Sequence, residues 1–210
     1  MIGVERDGGL TRVVIDRPDK ANSLTRAMLE DIARAAEAAA GDGTRVFVLT
    51  GRGKVFSAGA DLDEARAGLA TDPVWERLSA AIAGLPCLTI AALNGTLAGG
   101  AFGMALACDL RLAVPGASFF YPVMKLGFLP QPSDPGRLAA LVGPARARMI
   151  LMAGARIGAE EALAWGLVER VVPAEGLEAA VADLAAAALG ASPGHVAAIK
   201  ALVPSPPRAG

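Results

Sequence analysis

Aromatic residues are scarce in this chain. They make up 4% of its 210 residues, which fits poorly with a surface built for stacking on nucleic-acid bases. An excess of one charge is lacking too: 20 Lys and Arg stand against 21 Asp and Glu, a net charge of −1. No block of five basic residues occurs, so neither nucleic acid nor an anionic membrane surface is an expected partner. No stretch of ~20 residues is free of charges or helix breakers, which argues against a transmembrane helix. The N-terminus, "MIGVERDGGL", has acids and no apolar core segment. It does not read as a signal peptide, and the default location is the cytoplasm. The two cysteines, Cys87 and Cys108, sit in apolar surroundings and read as core thiols, so no metal site is expected. A phosphate-cradling G-x-x-x-x-G-K-[ST] is absent, and "GRGK" at 51–54 lacks the hydroxyl residue that would follow it.

What the chain does have is small apolar residues. Hydrophobic residues are 53% of the total, enough for a sizeable core built from Ala, Leu, Val and Ile. "TRVVIDRP" (11–18) reads as a strand stopped by Pro18. From Leu24, apolar residues recur at Met28, Leu29, Ile32, Ala35 and Ala36, which is helical spacing. "RVFVLTG" (45–51), "LTIAALNG" (88–95) and "LRLAV" (110–114) are short apolar runs expected to be buried strands. A helix is expected near Asp61, another over 73–85, and a third directly after the strand at 88–95. Strands alternating with helices imply an α/β fold with a largely parallel sheet. From about residue 136 the pattern turns helical, so the expected organisation is a core over 1–135 and a helical region over 136–210. The Pro-rich end, "VPSPPRAG", is expected to fray.

Two loops share one context. "FSAGADL" follows the strand at 45–50, and "NGTLAGGAFG" follows the strand at 88–93. Each is strand, small-residue loop, helix start. Ligands of α/β sheets gather at the carboxyl ends of strands, where helix N-termini offer unpaired N–H groups. Two such loops side by side could aim two N–H groups at one oxygen and form an oxyanion hole. Taken singly, the same glycines also fit close helix–strand packing and turn geometry.

"RPDKANSL" (17–24), "VFSAGADL" (55–62), "TIAALNGTLAGGAFGMALACDLRLA" (89–113) and "ALAWGLVERVV" (162–172) together resemble the crotonase superfamily, the enoyl-CoA hydratase/isomerase family. The resemblance implies a crotonase-like ββα spiral core with a C-terminal helical appendage. It implies action on an acyl-CoA thioester, with coenzyme A as substrate carrier and no tightly bound cofactor. It also implies a homo-oligomer, a trimer or a multiple of one. Carried over to this sequence, the oxyanion donors are the N–H groups of Ala60 and Gly100, with Gly99 beside them. Lys20, Ala21 and Ser23 would line the adenine and pantetheine of coenzyme A, with Ala58, Asp61 and Leu62 flanking the same cleft. The family pattern continues beyond the point where this chain ends, with helices that cover the acyl pocket and join subunits.

The sequence departs from the hydratase pattern at both acids. The resemblance places one catalytic glutamate three residues after the donor glycine, where Gly103 stands. It places a second after the Pro of "FFYPVMKLG" (119–127), where Pro122 is followed by Val123. Hydration needs a general base and a general acid at fixed places, so an isomerase or lyase step through an enolate fits better. A non-catalytic acyl-CoA-binding protein is the alternative. A further polar position of the pattern falls on Gln131. Asp134 is nearby and is a candidate acid, although "SDPGRL" (133–138) reads as a helix start with Asp134 as N-cap and Pro135 at the first position. Tyr121 reads as a packed or hydrogen-bonded core residue, His195 as a surface residue near a helix start, Asp63 and Glu64 as acids at a helix N-terminus, and Lys125 as a solvated charge.

Overall fold

The computed structural model describes residues 1–203. The first strand, β1 (Ile2–Asp7), returns antiparallel as β2 (Leu10–Ile15) through Gly8 and Gly9, both at positive φ. In β2 every second residue is buried, namely Thr11, Val13 and Ile15, the signature of a strand with one face on the core. Helix α1 (Arg26–Ala39) follows, with Thr25 as its cap accepting from the Met28 N–H. Its buried face includes Met28, Leu29, Ile32 and four alanines, and alanine lets the helix lie close to what it covers. Leu24, where the apolar spacing begins, instead forms a β-bridge with Ala60.

Strand β3 (Val46–Gly51) is buried along almost all of its length, because both faces of the sheet are covered. The chain continues through β4 (Val55–Ser57), α2 (Leu62–Arg66), α3 (Val74–Ala83), β5 (Leu88–Leu93), β6 (Thr96–Ala98), α4 (Phe102–Leu106), β7 (Leu110–Ala113) and β8 (Ser118–Phe120). Then come α5 (Val123–Leu126), α6 (Asp134–Val142), α7 (Pro144–Leu151), β9 (Ile157–Gly158), α8 (Ala159–Trp165), β10 (Arg170–Val171), α9 (Leu177–Gly190) and α10 (Pro193–Leu202). One sheet has the order β1-β2-β3-β5-β7-β10 and is parallel beyond β1. A second sheet has the order β4-β6-β8-β9. This is the α/β spiral core with C-terminal helices that the motifs imply.

The second sheet is the main element not foreseen. Residues 96–98, expected to open a helix, are a strand, and a 3₁₀ turn over Gly99–Ala101 precedes α4. The position expected to divide core from appendage, residue 136, falls inside α6. Beyond it, β9 pairs with β8 and β10 with β7, so the C-terminal stretch contributes a strand to each sheet. Helix α9 buries Leu177, Val181 and Ala185 against that core. Among the described residues no helix is long and apolar enough to cross a membrane. The end expected to fray, residues 204–210, lies outside the described residues.

Candidate active site

The neighbouring parallel strands β4 and β6 each release a short turn at the same edge. The turn after β4 contains Gly59 at φ 91, and the turn after β6 contains Gly99 at φ 58. Both lie in the left-handed region that glycine enters without strain. The two turns touch backbone to backbone. A Cβ on Gly59 would stand 2.9 Å from the Ala98 carbonyl oxygen and 3.5 Å from the Gly100 nitrogen. Glycine is therefore what lets the two amide-bearing segments approach.

Leu24 fixes the orientation of Ala60. The Leu24 N–H donates to the Gly59 carbonyl at 2.8 Å, and the Asp61 N–H donates to the Leu24 carbonyl at 2.9 Å. In an extended segment successive peptide groups alternate sides, so the Ala60 N–H is directed away from Leu24. Among the described residues it has no protein acceptor. The Gly100 N–H, in the opening turn of a helix, also has none. The Trp75 ring lies across Gly100, and a Cβ there would meet the indole at 3.3 Å. Trp75 is held by its own Nε1, which donates to the Leu69 carbonyl at 2.8 Å.

Asp134 takes a different place from the one its neighbours in sequence suggest. It is the first residue of α6, not its cap, and Pro135 follows it. Ser133 holds the cap position without a side-chain cap bond, and Glu76 of α3 fixes it, accepting from the Ser133 N–H at 2.9 Å and from the Ser133 hydroxyl at 2.7 Å. Freed from that task, the Asp134 side chain turns inward and is 1% exposed. Its Oδ2 accepts from the Tyr121 hydroxyl at 2.9 Å, and its Oδ1 has no partner. Oδ1 is 2.8 Å from where a Cβ of Gly103 would be. Gly100 and Gly103, three residues apart, share a helix face about 5–6 Å apart. The unpaired oxygen thus lies against Gly103, in the segment that directly follows the Gly100 amide. Burial pushes the Asp134 carboxyl up to about 7. The Tyr121 hydrogen bond lowers it, the Glu76 carboxylate raises it further, and Arg137 lowers it. Tyr121 itself is buried and stacked on Phe102 at 5.4 Å between ring centroids. Burial drives its hydroxyl upward, and the Asp134 charge adds to that. Gln131 bridges the same wall: its side-chain amide donates to the Ala70 carbonyl at 3.1 Å and its N–H to the Tyr121 oxygen at 3.4 Å. Pro122 and the buried Val123 begin α5 just beyond Tyr121.

The loop expected to line coenzyme A is shaped by two residues that sequence reasoning did not single out. These are Asn22 and Arg17. Ala21 and Asn22 both have left-handed backbones, φ 50 and 53. Asn22 sustains this through its side chain. Its Oδ1 accepts from the Arg17 N–H at 2.8 Å, and its Nδ2 donates to the carbonyls of Arg52 at 2.9 Å and Val55 at 2.6 Å. The Ala58 N–H donates to the Ala21 carbonyl at 3.0 Å, joining this loop to the Ala60 turn. Arg17 completes the joint, donating to Asp61 at 2.8 Å and to the Ser23 hydroxyl at 3.3 Å. That bond from Arg17 holds the Asp61 carboxyl below its usual range, against a smaller opposing effect of burial. Ala21, Ser23, Ala58 and Asp61 are therefore brought together, with Lys20 and Leu62 exposed beside them. Asn carried a usable signal, because it is among the few residues that enter the left-handed region readily.

Other candidates stand apart. His195 is exposed near the start of α10, and Lys125 is exposed on α5. Asp63 and Glu64 occupy the first turn of α2, whose cap is Asp61. Cys87 and Cys108 are free and buried, and burial raises their thiols to about 11 and about 12. Among the described residues no cluster of three or more His, Cys, Asp or Glu could hold a metal.

A sequence model described as enoyl-CoA hydratase/isomerase matches residues 5–206. A probable enoyl-CoA hydratase of Mycobacterium bovis is 33% identical over 186 residues, covering 88% of this chain and 76% of that protein. A 4-chlorobenzoyl coenzyme A dehalogenase of Arthrobacter is 34% identical over 205 residues, covering 93% and 74%. Among solved structures, one described as an enoyl-CoA hydratase/carnithine racemase from Magnetospirillum magneticum superposes with a TM-score of 0.89. It is 33% identical and covers 98% of this chain and 83% of that one.

Proposed function

The chain belongs to the enoyl-CoA hydratase/isomerase family, and from that premise we propose that it acts on an acyl-CoA thioester through an enolate, with Asp134 as its one acid–base group. One observation carries the reading. Two unspent amides, Ala60 and Gly100, stand on touching turns, and a buried carboxyl oxygen without a partner lies against Gly103, three residues after Gly100.

The thioester oxygen sits between the Ala60 and Gly100 amides. Such preorganised donors are worth roughly 3 kcal/mol each where negative charge develops. Asp134 Oδ1, as carboxylate, takes a proton from the α-carbon. The C–H electron pair forms the new C=C bond, and the carbonyl π pair moves to oxygen. The enolate collapses with a proton returned from the same carboxyl, which at about 7 exchanges protons readily near neutral pH. A single group of this kind serves isomerisation or another enolate step better than hydration, because positions 103 and 123 hold Gly and Val. The relatives are named for different reactions, a hydratase and a dehalogenase, so membership leaves the reaction open and the side chains must decide it. Coenzyme A lies along Lys20, Ala21, Ser23, Ala58, Asp61 and Leu62, entering as substrate carrier. The homo-oligomer belongs to the same reading, since Met124, Leu126 and Leu129 leave apolar surface exposed.

Titration calorimetry with coenzyme A and butyryl-CoA tests the ligand, and turnover of a β,γ-enoyl-CoA against crotonyl-CoA tests the reaction. Expected are heat with both ligands and faster turnover of the β,γ-isomer. Binding without turnover of either substrate replaces the enzyme with an acyl-CoA-binding protein. A full hydratase rate overturns the role given to positions 103 and 123. Ala60→Pro removes one donor N–H and is expected to lower turnover at least ~100-fold. A folded variant with unchanged turnover contradicts the donor assignment.

A further inference from the structure

The Asp134 carboxyl and the missing side chain of residue 103 compete for one space. A Cβ at position 103 would lie 2.8 Å from Oδ1, 3.4 Å from Oδ2 and 3.5 Å from Cγ of Asp134, and these are its three nearest neighbours. A carbon cannot approach an oxygen to 2.8 Å without displacing it. Glycine inside a helix costs about 1 kcal/mol relative to alanine, yet α4 carries one here with its backbone in an ordinary helical conformation. No positive φ calls for it. What calls for it is the carboxyl on the other side.

Asp134 has little freedom to retreat. Its N–H donates to the Gln131 carbonyl at 3.0 Å. The preceding Ser133 is held at both its N–H and its hydroxyl by Glu76. One carboxyl oxygen is tied to Tyr121, and Tyr121 stacks on Phe102, the residue next to Gly103. Helix α4 therefore supplies both the gap and the aromatic surface that sets the tyrosine. The groups that face the carboxyl are Tyr121 after β8, Glu76 from α3 and Arg137 on its own helix.

We propose that Gly103 is a functional position of the acyl-CoA site: it admits the acid–base carboxyl from α6 into the place where the hydratase pattern has a side chain on α4, and Tyr121 positions that carboxyl with one oxygen free. The inference rests on the reading of Asp134 as the acid–base group. It adds that the carboxyl has moved from one wall of the site to the other. A side chain at 103 and a carboxyl at 134 then exclude each other.

The assay is exchange of the α-hydrogens of butyryl-CoA with D2O, followed by NMR on the full chain, with coenzyme A affinity and thermal melting measured in parallel. Asp134→Asn is expected to lose exchange ~100-fold or more with coenzyme A affinity kept. Gly103→Ala is expected to lose ~10- to 100-fold in exchange rate at saturation with little change in apparent KM, because it displaces the carboxyl and not the carrier. Tyr121→Phe removes a bond that favours the charged carboxylate, so the acidic limb of its pH–rate profile moves to higher pH. A tyrosine that merely packs would leave that limb in place. Gly103→Ala is also expected to lower the melting temperature of the wild type and to raise it in an Asp134→Gly background, where the space is free. Should Gly103→Ala not fold alone, that double variant and Tyr121→Phe carry the test. Wild-type exchange and profile in Gly103→Ala, an unmoved limb in Tyr121→Phe, or equal melting effects in both backgrounds overturns the inference; the broader reading survives if Asp134→Asn is still inactive. Exchange retained in Asp134→Asn, or absent from a wild type that binds coenzyme A, overturns both.

Discussion

A buried acid with one unpaired oxygen is costly, and the cost has a sign that can be measured. Asp134 holds its proton up to about 7 in the folded chain against 3.8 for the ordinary carboxyl. Between those values the folded state binds more protons than the unfolded state, so this residue's contribution to stability falls as pH rises from about 4 to about 7 and is level above. Each pH unit in that window removes roughly 1.4 kcal/mol, a few kcal/mol in all. Asn has no charge to bury and nearly the same shape. Asp134→Asn is expected to melt several degrees above the wild type at pH 8 and close to it at pH 4, as read by circular dichroism. An equal or lower melting temperature at pH 8 removes the assignment of Asp134 as a strained acid. The acid was visible in the sequence, but its direction was not. "SDP" carries every local mark of a helix cap, and the residue that fixes Ser133 at the cap position, Glu76, is 57 positions away from it. A contact of that separation leaves no local trace.

Among the elements, the long ones were legible and the short ones were not. Helix α1 and strands β3, β5 and β7 announce themselves by period or by apolar runs with turn residues at their ends. The sheet that carries the candidate site is built from strands of two or three residues, too short for an alternation to register. Its turns were legible for another reason: glycines at 59 and 99 serve close backbone approach, Gly100 makes room for the Trp75 ring, and small residues in a row are conspicuous. The loop opposite them depends on Asn22, whose side chain replaces a piece of missing sheet by bonding three main-chain groups. Asn22→Ala leaves the Arg17 N–H and the Arg52 carbonyl without that partner, leaves the Val55 carbonyl only the longer bond from Asn94, and puts a residue ill-suited to the left-handed region at φ 53. The expected loss is about 2–4 kcal/mol of stability by urea denaturation, with a weaker affinity for coenzyme A by calorimetry because Ala21 and Ala58 lose their register. Unchanged stability would show that the Ala58–Ala21 bond and the Arg17 contacts hold the loop without the Asn22 side chain.

At the scale of the molecule, the question is what joins the C-terminal stretch to the spiral, and the answer is a buried charge. Arg111 lies in β7, inside an apolar run where the sequence gives no sign of a charged interior residue, and it is 2% exposed. Its guanidinium donates to the carbonyls of Leu167 at 2.8 Å and Cys108 at 2.7 Å and pairs with Glu169, while the Arg111 N–H donates to the same carboxylate. Leu167 and Glu169 immediately precede β10, so this cluster fastens the last strand of the large sheet, and α9 after it, to β7. Glu169 remains a third exposed, which tempers the ion pair itself. The larger effect comes from the carbonyls, whose partners vanish together when the guanidinium is removed. Arg111→Ala is accordingly expected to cost about 3–5 kcal/mol, whereas Glu169→Gln, which keeps an acceptor for the N–H, costs about 1 kcal/mol or less. Hydrogen exchange should show β10 and α9 losing protection first in Arg111→Ala while the β2–β3–β5 centre keeps its own. Uniform loss across the sheet, or a cost for Glu169→Gln as large as for Arg111→Ala, would mean that the ion pair and not the carbonyl clamp closes the fold.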